Sequence, residues 1–391
     1  MNENRFQEAP TLKSNFYVFR WSLLFVFDQL FGVSLRRKTE KGQVMKKSQN
    51  PSLIGKRFQD LQKKNIRKLL EANKDFNEAG PMPLAEMNLE ELTPESFRHW
   101  KHKVNAPLVV RGFLKDAPIM ELTNEDNLIA NFGQVQVQCA DFRIDKKTSG
   151  AGQNVPLVKT SLKDYLTSEK FDHFYVNNFH GLLNNLDFYR LCKGKTLRKI
   201  QDNTCVLNQW FIKRGIHSRS PLHCANGENI FLNVQGKKEW HFIHPSYTPL
   251  LHTTLSRYGV YAVSEAIEYF DTDDFYETMT KNHDWFHKIP VYKVVLEPGD
   301  MLYNPHWWWH DVRNLTDFTM GCASRWVDNK IPDKKIATNA PVLFAGQMME
   351  LIKHPKKSPY TKIRKNPEAN DFIDSIFSSK WSEQSEGESV S

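Results

Sequence analysis

The chain has 391 residues, of which 40% are hydrophobic and 26 are phenylalanine, enough for one large domain with extensions or for two domains. Its net charge of +8 is modest. The basic residues concentrate in 36–74 and 353–364, where they indicate solvated faces or contact with an acidic surface. No nucleic-acid reader motif accompanies them, so we expect no nucleic-acid partner. Five scattered cysteines without a Cys-x-x-Cys pair argue against disulfides and zinc knuckles and favour a reducing, intracellular compartment.

The most apolar stretch near the N-terminus runs from Phe16 to Leu35. Arg20 and Asp28 interrupt it, so its longest uncharged run is shorter than the roughly 18 residues expected of a membrane span. Basic residues follow at once without a small-residue cleavage site, which argues against a secretory signal. The stretch could be a helix docked on the protein's own core, a helix lying on an anionic membrane surface, or a single span. Its aromatic residues and basic flank favour the membrane-surface helix.

Further along, residues 57–76 are predicted to form a helix with one apolar side and mostly basic residues elsewhere. A Gly-Pro-Met-Pro segment at 80–83 ends it, and Thr93-Pro94-Glu95 is typical of the start of a short helix. The predicted organisation is an N-terminal apolar and basic segment (1–50), a basic helix and linker (51–83), a main domain (84–328), C-terminal helices (329–377) and a disordered polar tail (378–391).

Short strands dominate the predicted main domain. They are rich in β-branched and aromatic residues and cover 108–110, 174–176, 205–212, 229–234, 239–243, 291–296, 300–302 and 318–326. Residues 145–155 are predicted to be a loop, and 246–286 an excursion with helical pieces. This succession predicts a mainly β fold, a barrel-like double sheet of the cupin or jelly-roll kind, flanked by N- and C-terminal α-helices.

Two segments of this domain carry residues typical of a non-haem iron site. The first reads Ser220-Pro221-Leu222-His223-Cys224-Ala225, and the second reads Trp307-Trp308-Trp309-His310. We expect His223 just ahead of a strand, at the mouth of the sheet. A facial triad for Fe(II) needs two imidazoles and a carboxylate, with the remaining positions open. The usual pattern is His-x-Asp/Glu followed much later by His. Ala225 stands at the carboxylate position and cannot ligate a metal.

These segments give residues 84–327 a resemblance to the JmjC and cupin-like (cupin 8) oxygenases. The motif layout is most similar to that of the asparaginyl hydroxylase that acts on hypoxia-inducible factor. The resemblance implies a double-stranded β-helix core, Fe(II), the co-substrate 2-oxoglutarate and O₂. It places His223 and His310 as metal ligands. It also places Ser220, Asn229 and Lys238 around 2-oxoglutarate, with the ammonium of Lys238 paired with a carboxylate and the Ser220 hydroxyl donating a second bond.

Few neighbouring side chains could replace the missing carboxylate. Glu228 lies three residues beyond Ala225 and would need a bulge, and Glu239 is the other nearby carboxylate. Asp311 follows His310 directly and would point to the opposite face of a strand. His306 precedes His310 by four residues on a segment predicted to be extended. The two would then be about 13 Å apart, so we assign His306 to the rim of the site.

Ala225 leaves three outcomes open. In the radical halogenases of the wider 2-oxoglutarate family, a halide such as chloride fills this position and is delivered to the substrate. Alternatively, water fills it and oxygenase activity persists, or the domain is a catalytically inactive binding module, associated with a membrane surface. A buried lysine such as Lys238 is costly to desolvate without an anion. That cost favours iron-dependent C–H functionalisation, by hydroxylation or halogenation, of an unidentified small-molecule or protein substrate.

Overall fold

The computed structural model describes residues 12–31, 35–36, 46–47, 52–72, 81–141, 157–172, 174–176, 191–200, 206–215, 220, 222–225, 227–251, 253–255, 261–264 and 289–326. The helices expected at 334–353 and 370–377, and the polar tail, lie outside these residues, as do the predicted loop at 145–155 and most of the excursion at 246–286.

Two long helices precede the main domain, and the helices within the main domain are short. The α-helices are α1 (Leu12–Phe31), α2 (Leu53–Ala72), α3 (Pro94–His99), α4 (Ile119–Leu122), α5 (Glu125–Phe132), α6 (Leu162–Thr167) and α7 (Gly194–Ile200). Helix α3 begins as expected, because the Thr93 hydroxyl accepts a bond from the Ser96 amide at 3.1 Å and Pro94 occupies the first turn. No helix in the described part of the chain combines the length and apolar character needed to cross a bilayer.

The strands are short, as predicted, and more numerous than predicted. They are β1 (Leu35–Arg36), β2 (Lys46–Lys47), β3 (Met82–Pro83), β4 (Ala85–Met87), β5 (Leu108–Val110), β6 (Gln136–Asp141), β7 (Leu157–Ser161), β8 (Phe174–Val176), β9 (Val206–Arg214), β10 (His223–Ala225), β11 (Glu228–Gln235), β12 (Lys238–Ile243), β13 (Thr253–Leu255), β14 (Tyr261–Ser264), β15 (Tyr292–Leu296), β16 (Met301–Asn304), β17 (Trp309–Asn314) and β18 (Phe318–Trp326). The list of predicted strands lacked β1 to β4, β6, β7, β10 and β17, and helical pieces were expected where β13 and β14 lie.

Two large sheets form the core, which confirms the predicted double-sheet architecture of the cupin or jelly-roll kind. A seven-stranded sheet has the order β13-β14-β10-β17-β12-β15-β3, and a nine-stranded sheet has the order β4-β5-β16-β11-β18-β9-β8-β6-β7. Neighbouring strands are antiparallel except that β3 runs parallel to β15 and β4 to β5. Side chains from both sheets meet between them, as in the 5.0 Å contact between the rings of Phe231 and Trp240.

Hydrophobic side chains form two clusters. The larger fills the main domain from Leu84 to Ala323. The smaller joins one side of α1 and α2 to the outer side of the seven-stranded sheet; its members include Val18, Trp21, Phe25, Leu69, Leu222, Cys224, Trp307 and Trp309. The N-terminal helices therefore pack directly on the strands that carry the two histidines.

Candidate active site

The two histidines of the motif lie side by side on neighbouring strands. His223 on β10 and His310 on β17 are direct partners in the antiparallel register, and their ring centroids are 4.3 Å apart. Side chains of directly paired residues project from the same face of a sheet. His223 begins β10, a short strand that the sequence did not predict, and the predicted strand at 229–234 follows as β11. Two adjacent imidazoles on one face are an arrangement that can hold a single metal ion.

Hydrogen bonding prepares His310 to act as a ligand. Its Nδ1 lies 2.9 Å from the carbonyl oxygen of Trp308. Because a carbonyl oxygen only accepts, Nδ1 carries the proton and Nε2 keeps its lone pair. Burial, with a smaller contribution from the neighbouring His223, holds the pKa of His310 well below its usual value. The imidazole is therefore neutral at physiological pH, which is the form that binds metals.

Ala225 lies beside the histidine pair, where the motif normally has its carboxylate. Residues His223 and Ala225 alternate on β10 and so project from the same face. A carboxylate at position 225 would thus lie beside the histidine pair. Among the residues that the structure describes, no group of three or more His, Cys, Asp or Glu side chains could hold a metal ion. The described residues therefore bring two imidazoles together here without a third candidate ligand beside them.

The nearby carboxylates are engaged elsewhere. Glu228 is buried, and its Oε2 lies 2.6 Å from the ammonium of Lys101. Its Oε1 accepts a bond from the Tyr303 hydroxyl at 2.8 Å. Glu239 pairs with Lys293 at 2.6 Å. Both carboxylates are therefore paired with cations away from the histidine pair.

Asp311 lies on the opposite face of β17 from His310, as its place in the strand requires. There its Oδ1 is 2.9 Å from Nδ1 of His241. His306 accepts a bond from the Gly227 amide at 3.0 Å and lies in a turn that precedes β17. The expectation of an extended segment here was wrong. Trp307 has a positive φ of 62°, which bends the chain away from strand geometry.

Lys238 is a buried cation with neutral partners. It is 1% exposed, and its ammonium donates to Asn314 Oδ1 at 2.5 Å and to Thr319 Oγ1 at 3.0 Å. It has no carboxylate partner in the described part of the chain. Burial lowers the pKa of Lys238 to about 7. An anion in contact with Lys238 would favour its charged form and offset the cost of its burial.

The strand register gives Lys238 its position relative to the histidines. Lys238 is the partner of Asn314 across β12 and β17, and Phe242 is the partner of His310. Both pairs project from the same face, four residues apart, so Lys238 lies roughly 13 Å deeper along the strands than His310. The turn before it requires Gly236, which has a φ of +70°. A Cβ there would collide with the backbone oxygen of Phe318.

Ser220 lies at an intermediate depth. Its amide donates to the carbonyl of Val312 at 2.8 Å, and its Oγ accepts from the Val312 amide at 2.9 Å. Val312 is two residues from His310 and two from Asn314 on β17. The structure thus places Ser220 between the histidines and Lys238 in depth.

The nine-stranded sheet contributes a polar row opposite the histidines. Asn229 on β11 is the direct partner of Asn304 on β16 and of Arg325 on β18. The three side chains therefore share one face. Asn304 Nδ2 lies 3.3 Å from Nδ1 of His310, so this face lines the cavity of the histidines. The Oδ1 atoms of Asn229 and Asn304 are buried without a hydrogen-bond partner.

Arg325 is a site residue that the sequence did not reveal. It is partly buried, and burial lowers its pKa to about 10. Within the described ranges it has no carboxylate partner. Its charge also contributes to lowering the pKa of His310. Asn314 and Thr319, the partners of Lys238, were missed as well. Alternation along the strand from His310 could have identified Asn314, since residues two and four positions later share its face.

Comparisons with known proteins point to one family. The family model "Cupin-like domain" matches residues 200–333, which include both histidines, Ala225, Lys238 and Arg325. HSPB1-associated protein 1 from Rattus norvegicus and from Homo sapiens are each 32% identical over 120 residues, 30% of this chain and 23% of theirs. Arginine-specific demethylase JMJ20 from Arabidopsis thaliana is 26% identical over 167 residues, 42% of this chain and 32% of its own. The similarity thus spans less than a third of each of these relatives.

Proposed function

We propose that this chain, which contains a cupin-like domain of the JmjC type, is an Fe(II)- and 2-oxoglutarate-dependent oxygenase. Its reaction would be the oxidative functionalisation of a C–H bond in an unidentified small-molecule or protein substrate. The observation that carries the proposal is Lys238, a buried lysine whose amine bonds only neutral partners in the described residues and which shares a face of the seven-stranded sheet with the histidine pair. Such a residue destabilises a cavity that has no anion to receive.

The residues of the cavity fit most of what iron and 2-oxoglutarate require. The imidazoles of His223 and His310 lie side by side, and His310 is neutral at physiological pH because burial lowers its pKa. Lys238 offers a hydrogen-bond donor, and two buried amide oxygens of the described residues have no partner. The third protein ligand is absent at Ala225. Bound iron and 2-oxoglutarate would supply the oxidising chemistry. The reduction of O₂ would be coupled to two oxidations, that of 2-oxoglutarate to succinate and CO₂ and that of a substrate C–H bond.

The chain's own residues would hold these groups in order of depth. Nε2 of His310 and the imidazole of His223 would bind the metal near the mouth. The ammonium of Lys238 would pair with the far carboxylate of 2-oxoglutarate, with the Ser220 hydroxyl beside it. Along the strands, the backbones of His310 and Lys238 are roughly 13 Å apart. A five-carbon dicarboxylate together with the two side chains can span this distance. The buried tryptophans behind the histidines would exclude water.

We further propose that an exogenous anion such as chloride takes the third ligand position. The facial triad normally brings one negative charge to the metal. Here that charge is replaced by a methyl group at Ala225, while Lys238 and Arg325 add positive charge to the cavity. An anion would restore the balance and supply the ligand atom. If that anion is a halide, its delivery to the substrate would make the reaction a halogenation; with water in its place the reaction would be a hydroxylation.

The test is an anaerobic titration with Fe(II) and 2-oxoglutarate, with and without chloride, following the metal-to-ligand charge-transfer band. We expect a band that strengthens with chloride. In Lys238→Met the band should disappear, because the carboxylate loses its charge partner. Lys237→Met is the matched control, since Lys237 is the adjacent lysine but is half-exposed and pairs with Glu297 at 3.0 Å. A wild-type protein that binds neither Fe(II) nor 2-oxoglutarate would instead be a cupin-like binding module.

A further inference from the structure

The N-terminal helix α1 presents an apolar strip on its outer side. Four large side chains follow one another at a spacing of three or four residues and so lie along one side of the helix. They are between 46% and 58% exposed: Phe16, Phe19, Leu23 and Phe27. The opposite side of α1 is already packed in the smaller hydrophobic cluster. In the described part of the chain, Phe27 also stacks on Phe58 of α2, yet about half of each of the four side chains stays exposed. A contiguous apolar strip of this kind indicates an interaction surface.

The adjoining side of α2 extends the strip and adds positive charge. Spacings of three and four residues align one set of side chains along α2: Ile54, Arg57, Leu61, Lys64 and Lys68. This side faces α1, because the ammonium of Lys68 lies 5.7 Å from the centroid of the Tyr17 ring. Ile54 and Leu61 are 71% and 41% exposed, and Arg57 and Lys64 are exposed. Apolar and cationic side chains therefore alternate next to the apolar strip of α1.

We propose that this face of α1 and α2 docks the protein on the surface of a bilayer rich in anionic lipids. The apolar side chains would enter the boundary between headgroups and acyl chains, and Arg20, Arg57 and Lys64 would contact lipid phosphates. A second copy of this chain is a poor occupant. A symmetric contact would pack this face against itself, so that Arg57 and Lys64 of one copy would meet a surface that is itself apolar and cationic. The helices would lie on the membrane, since no described helix is suited to cross it.

Docking through α1 would hold the catalytic domain itself at the lipid surface. The buried side of α1 contacts the cluster that contains Leu222 and Cys224, the two neighbours of His223. The same cluster contains Trp309, the residue before His310. The membrane-facing helix and the histidine pair are therefore separated by a single sheet. This inference rests on exposure and charge, and it does not depend on whether the cavity binds iron.

The first test measures flotation of the purified full chain with phosphatidylcholine vesicles that contain about one quarter phosphatidylserine. We expect the wild type to float with these vesicles and to bind pure phosphatidylcholine at least about tenfold more weakly. The double variant Phe19→Ser, Leu23→Ser should lose at least about tenfold in binding, since it removes two half-exposed apolar side chains. Leu89→Ser is the control, because Leu89 is an exposed apolar residue on the main domain.

The second test examines charge. Arg57→Glu with Lys64→Glu should abolish the preference for phosphatidylserine. Lys159→Glu with Lys163→Glu makes the same change in net charge at exposed positions elsewhere and should leave binding unchanged. The proposal is overturned if the wild type does not float, or if each control loses as much binding as its partner variant. It is also overturned if light scattering shows a dimer that Phe19→Ser with Leu23→Ser dissociates, because the face would then belong to a second copy.

Discussion

Replacing Lys238 with methionine should stabilise the protein while it abolishes co-substrate binding. The pKa of Lys238 falls from 10.5 to about 7 on folding, and that fall corresponds to about 5 kcal/mol at about 1.4 kcal/mol per pH unit. The folded state carries this cost in full below about pH 7. Between pH 7 and 10.5 the unfolded chain binds more protons than the folded one, so stability rises with pH until the cost has gone.

Methionine fills nearly the same volume without a charge. The substitution removes the two hydrogen bonds that Lys238 donates to Asn314 and Thr319, and the loss of each should cost about 1 kcal/mol. The net expectation for Lys238→Met at pH 6 is therefore stabilisation by about 3 kcal/mol, or an increase in melting temperature of roughly 6 to 12 °C. Near pH 10 the gain should disappear and become a small loss. Lys237→Met, at the exposed neighbouring lysine, should show no such pH dependence.

The assay is thermal or urea unfolding of both variants at pH 6 and pH 10, without ligands and with 2-oxoglutarate. Added 2-oxoglutarate should stabilise the wild type and Lys237→Met and leave Lys238→Met unchanged. A Lys238→Met protein that is destabilised equally at both pH values would refute the reasoning. In that case Lys238 has a structural role, with its hydrogen bonds to Asn314 and Thr319 offsetting its burial, and it does not bind an anion.

Three further predictions concern the metal site. His310→Ala should lower the affinity for Fe(II) in the presence of 2-oxoglutarate by at least about tenfold, whereas His306→Ala should not, because His306 bonds the Gly227 amide; calorimetry distinguishes the two. Ala225→Asp should tighten Fe(II) binding and remove its dependence on chloride, which the charge-transfer titration reports; equal affinity in both proteins would eliminate a halide ligand. Arg325→Gln should weaken the effect of chloride by about tenfold, as expected for loss of one charge-assisted contact, and an unchanged chloride response would place Arg325 outside the anion's reach.

Local patterns were sufficient to predict the architecture, because short β-rich segments with turns between them predicted a double sheet. The pairing of His223 with His310 was predicted from the resemblance of their segments to the cupin-like oxygenases. Alternation within a strand, which the sequence carries directly, explains why Ala225 shares the face of His223. The same alternation placed Asp311 on the outer face. The four-residue offset of Lys238 below the histidines likewise follows from strand geometry once the strands are known to be neighbours.

What the sequence could not provide was the pairing between distant strands. Arg325 enters the site only because β18 pairs with β11 so that Arg325 meets Asn229, and register over such a distance is set by packing and not by local composition. The pairing of Glu228 with Lys101 was hidden for the same reason. The segment around His306 was wrongly predicted to be extended for a different reason. A tryptophan with positive φ, such as Trp307, is rare, and nothing in the neighbouring residues indicated one.

The loss of the carboxylate at Ala225 and the presence of Arg325 are best understood together. A site that no longer binds a metal would be expected to lose its buried charges, because a buried charge without a bound counter-ion destabilises the folded state. Here Lys238 lies on one sheet, and the guanidinium of Arg325 lies on the opposite sheet near the level of the histidines. Both features raise the positive potential of the cavity, and they do so from strands that belong to different sheets. In the proposed enzyme this charge distribution would disfavour bare iron and would favour iron bound together with a dicarboxylate and a second negatively charged ligand.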